Sequence, residues 1–170
     1  MLILCRTITD LAADSAALRR GRYGVIEVAE GQLQRIVLRP LPKHVYIWQS
    51  RWWGQWQHRR RAGDYCRLFY NQPLKIPDFL AVTYAVSSRH TTFATIRRAL
   101  DVLDEIARLK GTDALLCDAS NLRISERALA RWGWQPHAPM RWRRNFIKRL
   151  NDNGECGMGN VELENRQRRI

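Results

Sequence analysis

The residues best placed to do chemistry form one run, Val86-Ser-Ser-Arg-His-Thr-Thr-Phe-Ala-Thr95, between an apolar segment and a helical one. A helix that starts here aims its first unpaired N–H groups, and the positive end of its dipole, at whatever lies beyond the preceding strand. Ser88, Thr91 and Thr92 are small enough to let an anion approach, and Arg89, His90, Arg97 and Arg98 add charge. Such a run can cradle a phosphate or diphosphate. It can equally be an ordinary capped helix start in a basic protein.

A second run has a different chemistry. Residues 48–61 read Trp48-Gln-Ser-Arg-Trp-Trp-Gly-Gln-Trp-Gln-His-Arg-Arg-Arg61, with four of the seven tryptophans. Indole faces stack on bases and guanidinium groups meet phosphates, so Trp52, Trp56, Arg59, Arg60 and Arg61 are candidate nucleic-acid contacts. The same tryptophans can instead pack inward while the arginines reach outward.

Other chemistries find no support. There is no Gly-x-Ser-x-Gly run, and His44, His58, His90 and His137 sit in no catalytic signature. Walker and Rossmann glycine motifs are absent. Cys5, Cys66, Cys117 and Cys156 are far apart, with no CxxC pair, so neither a zinc site nor a disulfide framework is expected. Cys117 lies in a segment that reads as buried, which suits an inert thiol better than a nucleophile. Glu27 and Asp64 are strand-associated acids that could reach a cleft as a general base.

The charge narrows the partner. The chain has 29 Lys and Arg against 16 Asp and Glu, a net +13, over 170 residues. No acid stands between Glu30 and Asp64, between Asp78 and Asp101, or between Glu126 and Asp152. Such fields attract polyanions: nucleic acid, an anionic surface or a phosphorylated cofactor. No apolar stretch is long enough to span a membrane. The first residues, Met1 to Cys5, lack the charged region of an export signal, so a cytoplasmic protein is expected.

The elements that must position these residues follow from local pattern. Thr9 to Arg20 reads as a helix closed by Gly21. Tyr23–Val28 and Leu33–Leu38 read as a hairpin around Glu30-Gly31. His44–Gln49 and Asp64–Tyr70 are further strands. Asp78–Val86 is almost continuously apolar, as expected of a central strand covered on both faces. Phe93, Ile96, Leu100, Leu103, Ile106 and Ala107 repeat at helical spacing, so a helix is predicted over 91–109, capped by Thr91 or Thr92 and ended by Gly111, with Asp104 paired to Arg108. Asp113–Asp118 is a short strand, Ser125–Trp132 a helix and Met140–Arg149 a last strand. The β–α–β order implies an α/β fold with a mixed central sheet flanked by helices. Residues 1–150 form one domain in this reading, and residues 151–170, which hold three glycines and no aromatic residue, form a disordered tail.

Residues 78 to about 149 resemble the C-terminal half of a GNAT-type N-acetyltransferase. That family follows a central strand with an Arg/Gln-x-x-Gly-x-Gly/Ala loop, matched here by Arg89-His-Thr-Thr92-Phe-Ala94 at its first and last positions. Lys110-Gly111 closes the following helix, Asn121 begins the next turn, and Leu129-Ala-Arg-Trp-Gly133-Trp134 resembles the family's later aromatic–glycine signature. Thr92 stands where the family has glycine, and Leu129 where many members carry the tyrosine that protonates the leaving thiolate. The resemblance implies binding of acetyl-CoA or another acyl-CoA, with the diphosphate on the amides of residues 89–94. Its site residues are Val86, Ser88, Arg89, His90, Thr91, Thr92, Phe93, Ala94 and Asn121, and the main chain of Val86 and Ser88 would orient the thioester. The implied reaction is direct acyl transfer to an amine. A nucleic-acid-binding module on a degenerate fold of this kind, and a partner-binding protein with an empty cleft, are the alternatives.

Overall fold

A computed structural model describes residues 5–41, 63–118, 125–138 and 144–150. The described elements run β1 (Arg6–Ile8), α1 (Ser15–Arg20), β2 (Tyr23–Ala29), β3 (Gln32–Arg39), β4 (Tyr65–Asn71), β5 (Phe79–Ser87), α2 (Phe93–Lys110), β6 (Ala114–Asp118), α3 (Glu126–Arg131), β7 (Gln135–Pro136) and β8 (Asn145–Arg149). The strands form one eight-stranded sheet in the order β1-β3-β2-β4-β5-β6-β8-β7. Every adjacent pair is antiparallel except β5 and β6, which are parallel and joined through α2. The fold is therefore α/β with a mixed sheet, as the sequence order implies.

Local chemistry explains the boundaries. Glu30 and Gly31 both adopt positive φ, 52° and 73°, the backbone of a two-residue hairpin turn whose twist matches its strands. Thr92 caps α2 by accepting from the Thr95 amide, and Gly111, in the left-handed region, ends it. The first helix is shorter than expected. Thr9–Asp14 forms turns instead, because the Asp10 carboxylate accepts from the amides of Ala12 and Ala13 and holds that backbone off the helical path.

One apolar cluster lies between the sheet and the helices. Ile26, Val28, Leu68, Tyr70, Leu80 and Leu115 from the strands meet Ala99, Val102, Leu103 and Ile106 of α2, with Leu18 of α1 and Leu129 of α3 joining them. Each fully buried aliphatic side chain there stabilises the fold by about 1.5–3 kcal/mol relative to exposure. Gly24 makes room for this packing: a Cβ there would lie 2.5 Å from the Tyr70 ring. Lys110 ties the end of α2 to its neighbours by donating to the carbonyls of Arg19 and Gly21 and to Gln72 Oε1.

Two expectations need correction. Asp104 does not pair with Arg108. Its Oδ2 lies 2.5 Å from Lys148 Nζ, and the two side chains are only 8% and 16% exposed, so this pair links α2 to β8. Nor is β5 covered on both faces along its length. Leu80 is buried, whereas Thr83 and Ala85 are exposed. Thr83 is the extra residue of a bulge, since Phe69 pairs with Tyr84 and Tyr70 with Val82. Among the described residues Ala85 has no partner on β6.

The strand candidate at His44–Gln49, the Met140–Trp142 part of the last strand and the tail from Asn151 lie outside the described residues.

Candidate functional site

The site is the place where β5 outruns β6. Among the described residues the parallel ladder between them ends with Val82 opposite Cys117, while the ladder between β5 and β4 continues to Ser87. Five residues of β5 therefore pass the last β6 partner before the chain turns through Ser88–Thr92 into an 18-residue helix. A strand edge and a helix start come together there, and both present backbone polar groups.

The turn is built by hydroxyl groups. Ser88 is 5% exposed; its amide donates to the Tyr65 carbonyl and its Oγ to the Gly63 carbonyl. Thr91 Oγ1 donates to the Tyr65 carbonyl at 2.8 Å. The sequence singled out both residues as ligand contacts. In the structure both fasten the turn to the start of β4.

Asp64 occupies part of the helix start. Its Oδ1 accepts from the Thr92 amide at 2.8 Å, and its Oδ2 accepts from Thr92 Oγ1 at 2.7 Å and Thr95 Oγ1 at 2.6 Å. Thr95 Oγ1 in turn accepts from the Gly31 amide at 2.8 Å, which docks the β2–β3 turn on the same point. Partial burial pushes the Asp64 carboxyl up, but the hydrogen bonds from Thr95 and Thr92 outweigh it and hold the group below its usual value. A carboxylate engaged this way is a capping group and a poor general base.

The next two amides are open. Phe93 and Ala94 are exposed, and their N–H groups have no acceptor among the described residues. Arg89 and His90 are exposed on the turn. Phe93 is 60% exposed, and its ring lies 4.8 Å from that of Trp132. Arg97 and Arg98 contribute less charge than the sequence suggests, since they pair with Asp101 and Glu105 along their own helix. Thus the donors at Thr92 already hold an oxyanion, and those at Phe93 and Ala94 are free to hold another.

Val86 lies in β5 opposite Arg67 of β4. Leu129 is 4% exposed within the apolar cluster. Asn121 lies outside the described residues, as do Trp52, Trp56, Arg59, Arg60 and Arg61. Among the described residues no group of three or more His, Cys, Asp or Glu could hold a metal ion. Burial pushes the thiols of Cys66 and Cys117 up to about 12, so neither is a thiolate at neutral pH. No described helix is long and apolar enough to cross a membrane.

Glu27, the other acid named from sequence, is held between two guanidinium groups. Its Oε2 is 2.7 Å from Arg35 Nε and its Oε1 2.6 Å from Arg67 Nη2. The sequence reading missed this row, although strand alternation places Arg35, Glu27 and Arg67 on one face once the register is known.

No protein-family model matches the chain, and no curated protein does. Among solved structures, the crystal structure of nourseothricin acetyltransferase is similar over 86% of this chain and 98% of that chain, at 13% identity and a TM-score of 0.41. An overlap of that size carries no weight for function.

Proposed function

We propose that the chain binds an acyl-CoA at the end of β5 and transfers its acyl group to an amine. The observation that supports this reading is the open pair of amides, Phe93 and Ala94, at the start of α2 beside a strand that has outrun its parallel neighbour. Those amides and the helix dipole suit a diphosphate, with Arg89 and His90 adding charge from the turn. The residues present therefore fit the group, with one cost: the Asp64 carboxylate is a like charge beside the phosphates.

In the transfer, the amine nitrogen attacks the thioester carbonyl carbon. The C–N bond forms, the C–S bond breaks, and its electron pair leaves with sulfur. The proton lost by nitrogen balances the charge on the thiolate. Leu129 cannot supply that proton, and delivery from solvent alone would forgo the roughly 10²-fold or more that a positioned acid contributes.

The reading is tested by titrating the isotope-labelled full chain with acetyl-CoA and following its amide resonances. Phe93 and Ala94 are expected to shift first. Shifts confined to other regions, or none at millimolar ligand, would overturn it.

A further inference from the structure

Arg35, Glu27 and Arg67 stand opposite one another on β3, β2 and β4, and the same row ends at Val86 on β5. The row lies on the sheet face away from α2, because the flanking residues Ile26, Cys66 and Leu68 point into the apolar cluster. The Glu27 side chain is 9% exposed, Arg67 24% and Arg35 50%. One carboxylate thus meets two guanidinium groups, which leaves a surplus positive charge. Arg67 Nε also donates to the Tyr65 hydroxyl. The Arg67 guanidinium also lies over the Tyr65 ring, 5.6 Å from its centroid.

Neutralising Glu27 requires only one guanidinium. The second is surplus to the buried acid, and Arg35 is half open to solvent. The buried carboxylate instead fixes two forks side by side before any ligand arrives, which lowers the ordering cost of binding. We infer that Arg35 and Arg67, aligned by Glu27, bind the carboxylate of a small amine-bearing ligand on this face. Arg67 lies one strand from Val86, a spacing of about 4.8 Å. An amine a few bonds from a carboxylate held there reaches the end of β5. Such an amino acid or similar compound is then the acceptor class for the transfer proposed above. The acceptor role rests on that reading; the carboxylate site does not.

The probes are β-alanine and β-alaninamide, which differ in the carboxylate alone. Each is titrated into the full chain while the arginine Nε–H resonances are followed. The wild type is expected to bind β-alanine about tenfold more tightly than the amide, as a charge-assisted contact at a partly exposed site allows. Arg35→Gln should remove that preference. Arg35→Gln is expected to fold, since its side chain is half exposed. Equal binding of the two probes by the wild type, or a preference unchanged in Arg35→Gln, would overturn the inference. Acetyl-CoA titrated into the same samples reads the transfer hypothesis separately: its failure leaves a carboxylate site without a transferase.

Discussion

Asp64, just before β4, and Glu27, within β2, are both carboxylates held by other groups, but by opposite means. Asp64 is held by two hydroxyls and one amide. Glu27, in the middle of the sheet, is held by two cations. Neutral donors at an edge leave the acid negative and make the helix start less welcoming to another anion. Charged donors on a covered strand turn the acid into a bracket for surplus positive charge. The same residue type therefore narrows one anion site and prepares another, and only the partners tell which.

The largest effect should come from breaking the bracket at its more buried end. Arg67→Ala leaves the Glu27 carboxylate with only the half-exposed Arg35, and the loss should be about 2–4 kcal/mol. Chemical denaturation measures it. A loss below about 0.5 kcal/mol would mean that solvent already carries the Glu27 charge. The edge acid should matter less. Asp64→Ala removes three hydrogen bonds at the start of α2 and should cost about 1–2 kcal/mol, the range of a lost helix cap. Asp64→Asn keeps an acceptor for the Thr92 amide and should cost less. Equal losses for the two variants would show that charge, not hydrogen bonding, supports the helix start. Smaller again is the loss expected for Arg35→Ala, because its ion pair is half exposed and screened by solvent.

The smallest effect is confined to acid. The Asp64 carboxyl is held below its usual value in the fold. Its contribution is therefore complete above the unfolded value of about 3.9. It is lost as the pH falls through the lowered folded value. The stability difference between wild type and Asp64→Asn should be flat from neutral pH to about 5 and change only below about 4. A change centred near neutrality would contradict the hydrogen bonding described for this acid.

Much of the frame was legible in the sequence, for definite physical reasons. The Glu30-Gly31 turn, the Thr92 cap and the Gly111 stop are each set by a few adjacent residues, and the helical repeat from Ile96 to Ala107 is long enough to leave one apolar face. What failed was non-local. Asp104 has a suitable partner four residues on, yet the fold offers Lys148, 44 residues away, in a drier place. Thr9 to Asp14 has helical composition, but a single Asp10 carboxylate redirects the backbone. The turn at 86–95 was found from its small hydroxyl residues and basic charge. Its plug was not, because Asp64 is 28 residues from Thr92 in sequence and nothing local marks it as a cap. The Arg35–Glu27–Arg67 row needed the strand order as well, since β2 pairs with β4 across the whole intervening length of β3. Short strands such as β7, two residues long, carry too little pattern to be read at all.

The start of α2 is proposed to take the diphosphate of an acyl-CoA, and Asp64 to oppose it. Calorimetric titration of acetyl-CoA into wild type and Asp64→Asn tests both halves at once. Binding by the wild type is expected, with an affinity several-fold to tenfold higher in Asp64→Asn and a gap that narrows as salt is raised. No heat from either protein at millimolar acetyl-CoA, or equal affinity for both, would contradict it.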